Sequence, residues 1–150
     1  MLVSLLGLAA SAYAADLTPA EKRQLKAWNE ELKDPSKSNV GTVKDKCGKE
    51  VPVSLDSALV TPFMEASASA SGYCDEVMGA LGAFCSDDIG KDEAKKVKKI
   101  SCKLGKGDEP DFNLSAAGDL VFSFAPGQSN LGDKAKAFFD NGMKPKKAKK

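Results

Sequence analysis

Histidine is absent from this 150-residue chain. Without an imidazole, Ser-His-Asp and Cys-His nucleophilic catalysis, His-bound catalytic zinc and imidazole acid–base steps are excluded. An enzyme built on this sequence would have to work with carboxylates, lysine, tyrosine or serine. Closely spaced cysteines are missing too. No C-x-x-C occurs, so neither a thioredoxin-like redox site nor the paired thiolates of a structural zinc site is encoded, and no cofactor is expected. Aromatic residues are scarce at 7%, and Trp28 is the single tryptophan. None is interleaved with the lysines, which argues against nucleic acid as a partner. No serine sits in G-x-S-x-G, and Gly105-Lys106-Gly107 lacks the G-K-[ST] ending of a phosphate loop, so a hairpin turn explains it. Beyond the first residues, no run is apolar enough to cross a membrane.

What is present begins with "MLVSLLGLAASAYA". This stretch carries no charge, is apolar from Leu2 to Leu8, and ends in Ala12-Tyr13-Ala14, an A-x-A cleavage pattern. Residues 1–15 are therefore expected to be a signal peptide cut after Ala14 or Ala15. The competing reading is an apolar first helix of the mature fold, to which the missing basic n-region lends weight. Export, secreted or periplasmic, places the chain where thiols pair. With 42% apolar and 29% charged residues, residues 16–143 fit one globular domain.

Thr18-Pro19-Ala20-Glu21 is a capping box with proline at the first helical position. Leu25, Trp28 and Leu32 follow at helical spacing, and Asp34-Pro35 ends the run. Residues 35–46 read as a polar connection. Val51, Val53 and Leu55 alternate, with Pro52 limiting the piece to an edge strand. From Thr61-Pro62 onward, Phe63, Ala66, Ala70, Tyr73, Cys74, Val77, Leu81, Phe84 and Cys85 step by three or four. That predicts one helix from about Pro62 to Ser86, bent at Gly72, in preference to a flexible linker at "ASASASG". Packing accounts for Trp28, Phe63 and Tyr73. Ile100, Cys102 and Leu104, then Phe112 and Leu114, then Leu120, Phe122 and Phe124 alternate between glycine-bearing loops. They read as an antiparallel meander with one apolar face. Asn130 is expected to cap a last helix with Leu131, Ala135, Phe138 and Phe139 inward. The fold class expected is α+β: a small antiparallel three- to four-stranded meander packed against about three helices and stapled by two disulfides.

The cysteines are Cys47, Cys74, Cys85 and Cys102, an even set suited to a disulfide framework. On one helix, Cys74 and Cys85 stand about 16 Å apart along the axis, beyond the roughly 7 Å that a disulfide allows. Two pairings survive. Cys47–Cys74 with Cys85–Cys102 is favoured over Cys47–Cys85 with Cys74–Cys102, because Cys102 follows Cys85 after a short return.

The carboxylates offer little chemistry. Asp75 and Glu76 read as the solvated side of the long helix, and adjacent helical residues do not face each other across a cleft as glycoside hydrolysis requires. Asp87, Asp88, Asp92 and Glu93 form an acidic loop whose spacing fails the EF-hand pattern, leaving calcium a minor alternative. Lys95, Lys96, Lys98 and Lys99 make a short basic patch. Lys144, Lys146, Lys147, Lys149 and Lys150 fill five of the last seven positions, so a formal charge of +1 leaves −4 for the rest. Such a tail, 144–150, is expected to be disordered. It serves either solubility or attraction to an anionic envelope polymer or lipid surface. Three functions follow: an exported non-enzymatic binding or envelope-associated protein, a carboxylate- or Ser/Lys-dependent hydrolase, or an electrostatic adaptor working through the lysine tail. The first is the leading one.

Overall fold

The first helix starts where the capping box sits. Thr18 Oγ1 accepts from the Glu21 amide at 3.1 Å, and Glu21 Oε1 accepts from the Thr18 amide at 3.0 Å. Helix α1 (Pro19–Lys33) then buries Trp28 and Leu32. The structure, a computed structural model, describes residues 17–144. The expected signal peptide and Lys146, Lys147, Lys149 and Lys150 lie outside the described residues, whereas Lys144 is the last of them.

The connection expected over 35–46 contains a helix, α2 (Val40–Cys47). Only Val43 of α2 is fully buried, so its apolar period is too thin to register in sequence. Packing against a later helix holds it instead, because tertiary contact routinely decides a short helix. Strand β1 (Val53–Leu55), a 3-10 turn (Ser57–Leu59) and α3 (Val60–Glu65) lead to α4 (Ala70–Phe84). The single rod expected from Pro62 to Ser86 is thus two helices. Ser67 takes φ 54°, and Ser69 caps α4 by accepting from the Gly72 amide at 3.2 Å. Serine hydroxyls bond nearby backbone and so favour caps over helix interiors. Phe63, Ala70, Cys74, Val77 and Leu81 are nevertheless all buried. Ala66, expected on the same stripe, is exposed in the break, but the stripe resumes on the same face at Ala70, which is why periodicity alone missed it.

Helix α5 (Asp88–Ala94) replaces the expected acidic loop. Strands β2 (Lys99–Leu104), β3 (Asp111–Leu114) and β4 (Asp119–Phe124) precede the last helix, α6 (Leu131–Asp140). Asn130 does not cap α6 with its side chain. Glu76 of α4 accepts from the Gly132 amide there, at 3.3 Å.

The class is α+β, but the sheet is not an antiparallel meander. Its order is β1-β2-β4-β3, with β1–β2 and β2–β4 parallel and only β3–β4 antiparallel. Six α-helices accompany it among the described residues, not about three. Alternation specifies which face of a strand is buried, and says nothing of its neighbour's direction. One-sided alternation usually accompanies antiparallel pairing. Here it accompanies a mixed sheet whose other face carries Ser54, Ser101, Asn113 and Ser123. The apolar row Leu55, Cys102, Phe122 and Phe112 runs across all four strands in register. Edge placement of β1 is as the proline implied.

Two disulfides form, Cys47–Cys85 and Cys74–Cys102, with Cα separations of 5.1 and 6.1 Å. This is the pairing not favoured from sequence. The reason lies in α2. Asn39, just before it, contacts Asp75 and Gly79 of α4, and Thr42 lies against Gly82. The two helices therefore run side by side in the same direction. Cys47, at the end of α2, arrives at the end of α4 beside Cys85. Cys74, one turn into α4 and fully buried, faces Cys102 in the sheet.

Candidate binding groove

A groove of about 940 Å³ lies between the end of α4, α5 and α6. Its floor is Ala80, Ala83, Phe84 and Phe139, and the two rings lie tilted by 31° with centroids 5.5 Å apart. Phe84 directly precedes Cys85, so the disulfide to Cys47 anchors the floor. Helix α5 begins hard against α4. A Cβ on Gly90 would stand 1.6 Å from the Phe84 carbonyl oxygen, so only glycine permits this approach. Ile89, on the wall, is 77% exposed. An isoleucine left in water gains by covering with an apolar group, roughly 25 cal/mol per Å² removed.

The rim is charged, and most of its groups are occupied. Asp87 Oδ1 accepts from the Gly90 amide at 2.7 Å as the α5 cap. Glu93 pairs with Lys96 at 2.7 Å, and Lys136 with Asp140 at 2.7 Å. The Asp140 carboxylate holds the Lys136 ammonium above the usual lysine range, first by hydrogen bond and then by charge. Lys144, the first of the tail lysines, also lines the groove.

The carboxylates singled out in sequence are dispersed. Asp75 accepts from the Asn39 amide at 2.6 Å and its side-chain amide at 3.0 Å. Asp87 caps α5, and Asp92 pairs with Lys95 at 3.2 Å. Among the described residues, no group of three or more His, Cys, Asp or Glu side chains could hold a metal ion. No helix among them is long and apolar enough to cross a membrane. The four cysteines come together only as the two bridges. The groove itself went unread in sequence. Its one visible signal was Ile89, a lone apolar residue within "SDDIGKDE".

Compared with known proteins, the chain matches no family model, no curated protein and no solved structure. Its function has to be argued from its own geometry.

Proposed function

We propose that the protein is exported and acts as a small, non-catalytic binding module that seats a ligand in the α4–α5–α6 groove. The observation that carries this reading is an open groove with a disulfide-anchored aromatic floor and an isoleucine 77% exposed at its wall. Ligand sites combine an apolar lining with a few placed polar groups. Here the apolar part is Phe84, Phe139 and Ile89, and the charges on the rim select orientation. Two bridges suit an oxidising compartment.

The test is native mass spectrometry of protein recovered from the exported fraction of its own cells. The expected mass lacks residues 1–14 or 1–15, contains two disulfides, and carries a non-covalent ligand that Ile89→Asp loses. A ligand retained by Ile89→Asp overturns the groove. A full-length mass with free thiols overturns export. Turnover of a bound ester or glycoside that Asp87→Asn or Asp88→Asn abolishes would establish the hydrolase instead.

A second reading, favoured by five lysines in the last seven positions, is an adaptor that meets anionic surfaces through Lys144, Lys146, Lys147, Lys149 and Lys150. Truncation after Met143 would then abolish binding to anionic vesicles at low salt, where such attraction is least screened.

A further inference from the structure

A second concavity, of about 410 Å³, opens between the segment entering β2 and the β3–β4 turn. Lys95, Lys96 and Lys98 line one side, and Ser115–Gly118 the other. The two sides are docked by backbone: the Gly118 carbonyl accepts from the amides of Lys98 at 2.7 Å and Lys99 at 3.3 Å. Gly118 sits at φ +93°, and a Cβ there would lie 2.3 Å from Lys98 Cγ. Glycine therefore lets the Lys98 stem lie on the turn. The turn closes through Gly118 N to Ser115 O at 3.0 Å, and Ser115 Oγ accepts from the Asp119 amide at 3.0 Å. The amides of Ala116 and Ala117 donate to no group among the described residues.

The charges at this concavity are out of balance. Next to Lys98 lies Lys49, whose ammonium donates to the carbonyls of Lys95 at 3.1 Å and Val97 at 2.5 Å. Neither Lys49 nor Lys98 has a carboxylate partner among the described residues. Partial burial first, and the Lys98 charge second, lower the pKa of Lys49. Lys95 and Lys96 hold Asp92 and Glu93 only through short-range surface pairs on their own segment. Pairs of that kind contribute little and are readily exchanged for a ligand.

We propose that this cradle binds a phosphate-type oxyanion, with Lys98 as its main charge, Lys95 and Lys96 closing over it, and the Ala116–Ala117 turn amides as fixed donors. The donor set favours an anion with several oxygens over a carboxylate. Arg23 is the only arginine in the chain and stands elsewhere, in α1. The planar fork that grips carboxylates two-handed is therefore missing, while lysine ammoniums act as point charges toward phosphate. The oxyanion comes either from a soluble phosphate or from the headgroup of an anionic phospholipid. The site does not rest on the groove reading, although Lys96 lines both concavities, and it lies in the folded domain, not in the lysine tail.

The experiment titrates the full chain, disulfides intact and at low ionic strength, with inorganic phosphate while following backbone amide shifts. Shifts are expected at Ala116, Ala117 and Gly118. Lys98→Gln should weaken binding about tenfold, as loss of a charge-assisted contact does. Lys103→Gln, an exposed lysine elsewhere on β2, should leave it unchanged, as should truncation after Lys144. A second arm measures sedimentation with phosphatidylcholine vesicles, with and without phosphatidic acid. Acid-dependent binding that Lys98→Gln weakens assigns the headgroup, and phosphate shifts without vesicle binding assign the soluble source. The proposal is overturned if neither ligand acts at the cradle, if chloride at matched ionic strength gives equal shifts, or if Lys98→Gln binds as tightly as the parent. Loss of binding on tail truncation overturns it as well.

Discussion

Asp75 and Glu76 are neighbours in sequence with different tasks in space. Asp75 holds the amide of Asn39, and Glu76 the amide of Gly132. Each places a negative charge at the start of another helix, where unpaired amides and the helix dipole favour it. Read from sequence, both belonged to the water-facing side of α4, and their helical phase supported that. Nothing local announces a partner 36 or 56 residues away. Asp75→Ala should cost about 1–2 kcal/mol, the range of a lost cap, in urea unfolding followed at Trp28, which is 6% exposed. Gly90→Ala should cost about 1–3 kcal/mol in the same assay, because the backbone of α4 or α5 must shift to admit the methyl group. Ile89→Asp should change stability by no more than about 0.5 kcal/mol, as surface substitutions do. Loss of ligand in that variant would therefore report the groove and not the fold.

Among elements, α1 was read correctly because its signals are local: a capping box, three apolar residues in phase, and Asp34-Pro35 to stop it. Thr61 adds a remote contribution. Its hydroxyl, and then the Thr18 amide, hold the Glu21 carboxylate below its ordinary pKa. A carboxylate with a lowered folded-state pKa supports the fold fully above its ordinary value and progressively loses that support as acid protonates it. The protection factors of the first-turn amides of α1, which divide out the slower intrinsic exchange in acid, should therefore fall as pH drops below about 4.5, the ordinary glutamate value. Thr61→Val should raise the folded-state pKa of Glu21 toward that ordinary value and so shrink the fall. Helix α2 is the opposite case. Val43 is its only fully buried residue, with Val40 and Cys47 partly buried against the core, and its position beside α4 depends on the absent side chains of Gly79 and Gly82, where Asn39 and Thr42 press in. Its existence decided the disulfide pairing. The two bridges also differ in access: Cys74, Cys85 and Cys102 are fully buried, whereas Cys47 is only partly so. Dithiothreitol titration with mass mapping should open Cys47–Cys85 before Cys74–Cys102.

At the scale of the whole molecule, Cys74–Cys102 ties the central helix to the central row of the sheet, and Cys47–Cys85 ties the α2–α4 pair together at the groove. The bridged residues are 28 and 38 positions apart. Loop closure on that scale stabilises a fold by about 3–4 kcal/mol per bridge. Replacing Cys74 and Cys102 with alanine should cost at least that amount in denaturant unfolding, and more than the Cys47/Cys85 double replacement, since both of its sulfurs leave buried space whereas Cys47 is only partly buried. What the sequence determined by itself was local or covalent: the α+β class, the buried face of each strand, the start of α1, the ban on a Cys74–Cys85 bond, and the absence of imidazole chemistry. Periods of two and 3.6 and the reach of a disulfide need no knowledge of neighbours. Strand direction, the break between α3 and α4, the pairing of the four cysteines, the groove at Phe84 and Ile89 and the cradle at Lys98 were decided only by tertiary structure. Each depends on which surface meets which, and an alternating or helical pattern records that a face is covered without recording by what.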